Sequence, residues 1–153
     1  MKTKQILTAM LLFSTFTVFA QVPQNVQDSL KAKYPNATVK SFKQKKQTYI
    51  AKFVSDGISY VTTYSISGNW QETKATLLWS QLPEVVKAGW RKTEYSTWKI
   101  EGASLIETPA DGKQYVIAVN NSAEYEDAPE IAEISTQHLS LFFNATGQLV
   151  KKK

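Results

Sequence analysis

Two stretches of this chain share a pattern at an offset of 60 positions, QVPQNVQDSL at residues 21–30 and QLPEVVKAGW at residues 81–90. Gln21, Pro23 and Val26 recur as Gln81, Pro83 and Val86, while Leu82 stands for Val22 and Trp90 for Leu30. Pro23 fits the first turn of a helix, where its missing N–H leaves no bond unmade. Val22, Val26 and Leu30 then fall at i, i+4 and i+8, with Tyr34 one turn further, so one apolar stripe runs along the helix. Tyr34-Pro35-Asn36 ends it, because a residue before proline is pushed out of the helical region. Pro83 starts the second helix in the same way, and Leu82, Val86 and Trp90 repeat the stripe. Gly89 lowers its helix propensity slightly.

Beyond each helix the apolar period falls to two, the signature of strands. Val39–Lys45 is read as a first strand, although its alternation is poor. Tyr49, Ala51 and Phe53 alternate with Ile50, Lys52 and Val54, and Asp56-Gly57 then signals a hairpin, since glycine accepts positive φ. Tyr60, Thr62, Tyr64 and Ile66 line one face of the next strand. Ser67-Gly68-Asn69 turns the chain into a strand from Trp70 to about Leu78.

The second half keeps this order. A strand runs from Trp98 to Thr108, with Ile100 and either Leu105 or Ile106 inward. Asp111-Gly112 repeats the hairpin signal, and Tyr115, Ile117 and Val119 share a face. Leu139, Leu141 and Phe143 match Tyr60, Thr62 and Tyr64, Thr146-Gly147 matches Ser67-Gly68, and Leu149 matches Trp70. The last turns are offset by 79 positions (Gly68 to Gly147), against 60 for the helices, so 19 residues are inserted between them. The polar stretch 120–137, with Glu124, Glu126, Asp127, Glu130 and Glu133, is that insertion. An α+β fold follows, built of two tandem units that each hold one helix and a four-stranded antiparallel sheet.

The N-terminus reads as an export signal. Lys2 and Lys4 precede an apolar run from Ile6 to Phe19, and the small residues Val18 and Ala20 predict cleavage after Ala20. That run is shorter than the roughly 20 residues a membrane span needs, and no second segment approaches that length. The expected division is 1–20 signal peptide, 21–80 first unit and 81–153 second unit with the insertion at 120–137. A periplasmic or secreted location follows. The chain has no cysteine, so an ordinary apolar core must supply its stability, and 42% hydrophobic residues provide the material. Its formal charge of +5 falls once the leader lysines are removed, and the basic residues are scattered. Lys43, Lys45, Lys46 and the Lys151–Lys153 tail read as solvated surface, and nucleic acid is not an expected partner.

The order Val22-Pro23, Tyr34-Pro35-Asn36-Ala37, Tyr49 with Phe53, Asp56-Gly57, Gly68-Asn69-Trp70, Leu82-Pro83, Tyr115 and Gly147 resembles the PepSY-like family. That family is also described as beta-lactamase-inhibitor-like and is typical of exported proteins of Bacteroidetes. The resemblance covers essentially residues 22–150. It implies tandem units with a helical segment packed on one face of each antiparallel sheet, and a non-enzymatic role in binding or inhibition. Two features depart from the family pattern: the acidic insertion, and Tyr95-Ser96-Thr97-Trp98 in place of Tyr34-Pro35-Asn36-Ala37.

Catalytic chemistry finds no support. With no cysteine, a nucleophilic triad would have to use His138, the one histidine, which reads as a surface residue at a strand end. No phosphate loop, nucleophile elbow or dinucleotide fingerprint occurs. Asp56 and Asp111 are committed to hairpins, and the insertion has neither the glycine nor the ligand spacing of a calcium loop. No cofactor, metal site or catalytic residue is expected.

A sheet with helices on one face leaves the other uncovered. Ser59, Val61, Thr63 and Ser65 would line that face in the first unit, and Ser140, Phe142 and Asn144 in the second. Trp79 and Trp98 flank the second helix and offer aromatic contact area. The expected partner is a protein or peptide of the cell envelope. The alternative is a small ligand or cation carried by the acidic insertion.

Overall fold

The structure, a computed structural model, describes residues 22–122 and 136–153. Helix α1 (Gln24–Lys33) precedes four strands, β1 (Thr38–Lys45), β2 (Thr48–Ser55), β3 (Ile58–Ser65) and β4 (Trp70–Leu77). A short 3-10 turn (Trp79–Gln81) leads into α2 (Glu84–Arg91). Four more strands follow: β5 (Lys99–Thr108), β6 (Gly112–Asn120), β7 (His138–Asn144) and β8 (Leu149–Lys152). The strands form one eight-stranded antiparallel sheet in sequence order. Residues 123–135, which carry the acidic side chains of the insertion, lie outside the described residues; the insertion leaves β6 at Asn120 and re-enters at His138.

Both helices begin one residue later than expected. Pro23 and Pro83 have extended backbones and sit just before the first helical residue. Their carbonyls still start the helices: Pro23 accepts from the N–H of Val26 (3.0 Å) and Gln27 (3.3 Å), and Pro83 from Val86 (3.0 Å) and Lys87 (3.1 Å). The proline therefore sets the entry angle and loses no donor, in the same way twice.

The apolar stripes then pack on one face of the sheet. Under α1, Val26 and Leu30 meet Tyr49, Ala51, Phe53 and Tyr64, all buried. Under α2, Leu82 and Val86 meet Leu105, Ile117, Val119, Leu141 and Phe143, with Trp90 packed against the same cluster. Burying a side chain of this size stabilises the fold by about 1.5–3 kcal/mol. The second cluster also takes Ala75 and Leu77 from β4, and Tyr60 packs against both clusters. The last strand of the first unit thus belongs to the core of the second.

Turn geometry refines the expected hairpins. Asp56 and Gly57 both have positive φ (50° and 75°) and close a two-residue turn between Ser55 and Ile58. At Asp111-Gly112 only the glycine does (65°), and the pair Thr108↔Gly112 encloses a three-residue loop. Ile66 does not continue the inward face of β3. The strand ends at Ser65, and Ile66 is exposed in the turn. In β5, Leu105 faces the core and Ile106 the other side. A bulge between Ile100 and Gly102 changes the alternation, which is why Ile100 packs on the same core as Ala103 and Leu105.

Gly89 has a task beyond its low helix propensity. The turn that joins β7 to β8 presses its glycine, Gly147, against α2, where an added Cβ would strike the Val85 carbonyl. A Cβ on Gly89 would in turn strike the Gly147 carbonyl. In the first unit Gly68 occupies the matching place, 2.6 Å from Asn25 Nδ2 once a Cβ is built, and Asn25 donates to the Ser67 carbonyl at 2.8 Å. Gly57→Ala, which meets no neighbour within 4 Å, should cost the roughly 1–2 kcal/mol of a left-handed residue. Gly147→Ala should cost about 1 kcal/mol more in urea unfolding, because helix and turn must also separate. Equal losses for the two variants would show that this contact is not tight.

Candidate functional site

Strand register places the residues of the uncovered face. One row crosses seven strands as Ser41, Lys52, Val61, Lys74, Ile106, Gln114 and Asn144. A second joins Thr76, Ser104, Val116, Phe142 and Lys151, with Val54 opposite Ser59 in line with it. Gly102, Ala118 and Ser140 make a third. The seven residues expected here all lie on this face, on the side away from the helices: Ser59, Val61, Thr63 and Ser65 on β3, and Ser140, Phe142 and Asn144 on β7. They form two groups separated by four strand steps, about 19 Å. Val61 is 40% exposed, whereas Phe142 is half-buried beside Val116. Lys151 Nζ lies 5.7 Å from the Phe142 ring centroid.

Between the two groups lie Lys74, Thr76 and Ser104, which no sequence pattern singled out, and Ile106, which the alternation offered as an inward alternative to Leu105. With Ser59 and Val61 they line a cleft of about 380 Å³ where the two units join. Thr76 and Ser104 are small and Val61 and Ile106 apolar, so the cleft has a shallow polar floor and apolar walls. Thr76 and Ser104 alternate with the buried Leu77 and Leu105, so both point outward, but only the pairing of β4 with β5 brings them together as a cleft.

Trp79 and Trp98 do not share that face. Trp79 meets Trp90 edge-on at 5.2 Å and Trp98 meets Tyr95 edge-on at 5.1 Å, and both are half-buried against the core under α2. Among the described residues, no three His, Asp or Glu side chains gather as a metal site. The five acidic side chains of the cation alternative fall outside those residues. His138 opens β7 at the surface, with Nδ1 3.0 Å from Glu101 Oε2. That histidine, with the Asn120 amide at 2.9 Å, holds the Glu101 carboxyl below the usual carboxylate range.

Beneath α1 the two units are tied by a polar network. Trp70 Nε1 donates to Thr73 Oγ1 (2.9 Å), Thr73 to Thr62 Oγ1 (2.9 Å), and Thr62 to the Glu72 carbonyl (3.0 Å). The Tyr34 hydroxyl shares its proton between Thr73 Oγ1 (2.9 Å) and Glu107 Oε2 (3.2 Å). Lys33 pairs with Glu107 Oε1 at 2.9 Å and stands 3.8 Å over the Trp70 ring. Glu107 is on β5, so a helix of the first unit is bonded to a strand of the second. Thr62 and Thr73 are fully buried, and the hydroxyls of Tyr34, Thr62 and Thr73 all have partners, as burial demands.

Among the described residues, the sheet is covered by helices on one face and bears a cleft at the middle of the other. The chain belongs to the PepSY-like family: the model described as "Putative beta-lactamase-inhibitor-like, PepSY-like" matches residues 15–63 and again 54–151, consistent with two tandem units. Among solved structures, the chain is similar to a BLIP-like protein from Bacteroides fragilis NCTC 9343 (26% identity, 87% of each chain, TM-score 0.67). A DUF2874 family protein from Bacteroides ovatus ATCC 8483 has the same fold (24% identity, 87% of each chain, TM-score 0.61). So does a structure described as "putative periplasmic proteins" from Bacteroides eggerthii DSM 20697 (18% identity, 87% of this chain and 88% of that one, TM-score 0.59). No protein with a curated description matches the chain.

Thr73→Val keeps the volume but removes the hydroxyl at the centre of the network, and should cost about 1–3 kcal/mol in thermal or urea unfolding. An unchanged stability would show the network to be dispensable. Burial, reinforced by the Glu107 carboxylate, also pushes the phenols of Tyr34, Tyr60 and Tyr115 above their ordinary value of 10.0. Stability from a raised group is complete below the unfolded value and is lost as pH rises through the folded one. The chain should therefore lose stability above pH 10, and tyrosinate absorbance should show a delayed fraction in the folded chain. Simultaneous ionisation of all 7 tyrosines near their ordinary value, with the fold intact, would contradict this.

Proposed function

We propose that the chain is an exported, non-catalytic binding or inhibitor-like protein that engages a protein or peptide of the cell envelope through the open sheet face. The observation that carries this reading is the continuity of that face: Ser59, Val61, Thr63 and Ser65 share it with Ser140, Phe142 and Asn144. The cleft of Thr76, Ser104 and Ile106 lies between the two groups. Polar hydroxyls keep such a surface soluble while Val61, Ile106 and Phe142 offer apolar contact, the mixture found at protein interfaces. Family membership supports an inhibitor-like role.

Export is supported by the basic head and apolar run of residues 1–20, read as a signal peptide before units at 21–80 and 81–153. The Bacteroides eggerthii relative, described as periplasmic, agrees with it. Among the described residues no helix is long and apolar enough to cross a membrane.

A pull-down from envelope extract with the chain lacking residues 1–20 tests the reading. A captured partner should be recovered about tenfold less, or about 1.4 kcal/mol weaker, with Val61→Glu/Phe142→Glu. An unchanged set of captured proteins would remove the open face from the proposal.

A further inference from the structure

We infer that the partner presents carboxylates around an apolar side chain, and that Lys52 and Lys74 receive those carboxylates while the side chain enters the cleft between the units. This deepens the open-face reading and rests on it.

Three successive strands place Lys52, Val61 and Lys74 directly across from one another. The two ammonium groups therefore flank one exposed valine, their Cβ atoms about 10 Å apart, or two strand spacings. The next residue in the row is Ile106, whose side chain walls the cleft with Val61. An apolar side chain arriving over Val61 and Ile106 would bring its neighbours within reach of both lysines. Charge-assisted bonds of about 2.7–2.9 Å would then form.

The charge of the whole face points the same way. Lys43, Lys45, Lys52, Lys74, Lys99 and Lys151 stand on it, against Glu72 and Glu101. Both carboxylates are already engaged: Glu72 holds Lys74 at 2.8 Å, and Glu101 is bonded to Asn120 and His138. Among the described residues Lys52 and Lys43 form no ion pair. Glu72 and Lys74 lie on the same strand two residues apart and point to the same side, so their pair can open toward an incoming acid at little cost, as exposed pairs contribute little. The face thus carries surplus positive charge beside its one apolar-walled cleft among the described residues. Such an arrangement steers an acidic surface in and rejects a basic one.

Selection from a random peptide display library on the immobilised chain, at low ionic strength, tests this. The comparison set is Lys52→Glu/Lys74→Glu, Val61→Glu/Phe142→Glu, and Lys31→Glu/Lys92→Glu as a control on the helix side. The expected result is an enriched motif of Asp or Glu next to an apolar residue. The motif should bind about tenfold more weakly to either open-face variant, be unaffected by the control, and weaken at physiological salt. Circular dichroism melting checks that the variants fold, and a variant that does not is replaced by Lys52→Gln/Lys74→Gln.

Other outcomes separate the two levels of the reading. A motif without acidic residues that is lost only with Val61→Glu/Phe142→Glu would keep the open face and overturn the charge inference. A motif indifferent to both open-face variants would overturn both. No enriched motif, combined with lysine-dependent binding to phosphatidylglycerol vesicles, would assign the face to lipid and overturn the inference. No enrichment at all would also overturn it. So would a dimer in sedimentation that dissociates with Val61→Glu/Phe142→Glu, since a second copy would then own the face.

Discussion

Everything in this fold depends on both helices lying against the same face of one sheet, and two glycine turns hold them there. Val26 and Leu30 in α1, and Leu82 and Val86 with α2, bury their stripes on alternate residues of the strands below. The turn glycines Gly68 and Gly147, at φ 86° and 80°, let the ends of the hairpins reach the helix backbones. With both helices committed to one side, the other side of the eight paired strands offers only side chains among the described residues. An open face is the direct consequence of this packing.

The duplicated units do not act as two beads. Strand β4 pairs with β5 from Thr73↔Glu107 to Leu77↔Ala103, and its Ala75 and Leu77 complete the second core. Tyr34 and Lys33 then reach over the junction to Glu107. In the second unit the residue matching Tyr34 is Tyr95, whose hydroxyl accepts from Lys152 Nζ, 2.6 Å away on β8. Here the ammonium also pairs with Glu94 (3.5 Å), the residue matching Lys33, so helix-exit and strand charges are reversed between the copies. The sheet edges are poor places for another strand. β1 carries a bulge after Val39 and the lysines Lys40, Lys43 and Lys45, and β8 is short and ends in lysines. Natural sheets blunt their edges by these devices, which fits the proposal that recognition uses the face rather than the edge.

Much of this was legible in the residues because local rules and packing agree. The prolines, the four-residue apolar spacing, Asp56-Gly57 and the two Ser/Thr-Gly turns located the helices and most strands. Leu139, Leu141 and Phe143 were correctly matched to the inward set of β3. What escaped has physical causes. A bulge in β5 changes which residues share a face, so Leu105 and Ile106 could not be separated by counting. The β1–β2 turn uses Lys46 at φ 54° in place of a glycine or asparagine, so no turn residue marked it. Gly89 looked like a weakness because its neighbour, Gly147, is 58 positions away in sequence. The network of Tyr34, Thr62, Thr73 and Glu107 has no periodic signal at all, since its members meet only when β4 pairs with β5. The open-face residues were found by alternation, but the cleft between them needed the strand order.

The central claim is that recognition takes place on the face opposite the helices, and lysine acetylation read by mass spectrometry tests it most directly. The chain would be labelled alone and with its captured partner bound. Protection of Lys52 and Lys74, with Lys31 and Lys92 on the helix side labelled as before, is the predicted result. Protection of Lys31 or Lys92, with Lys52 and Lys74 still fully reactive, would contradict it.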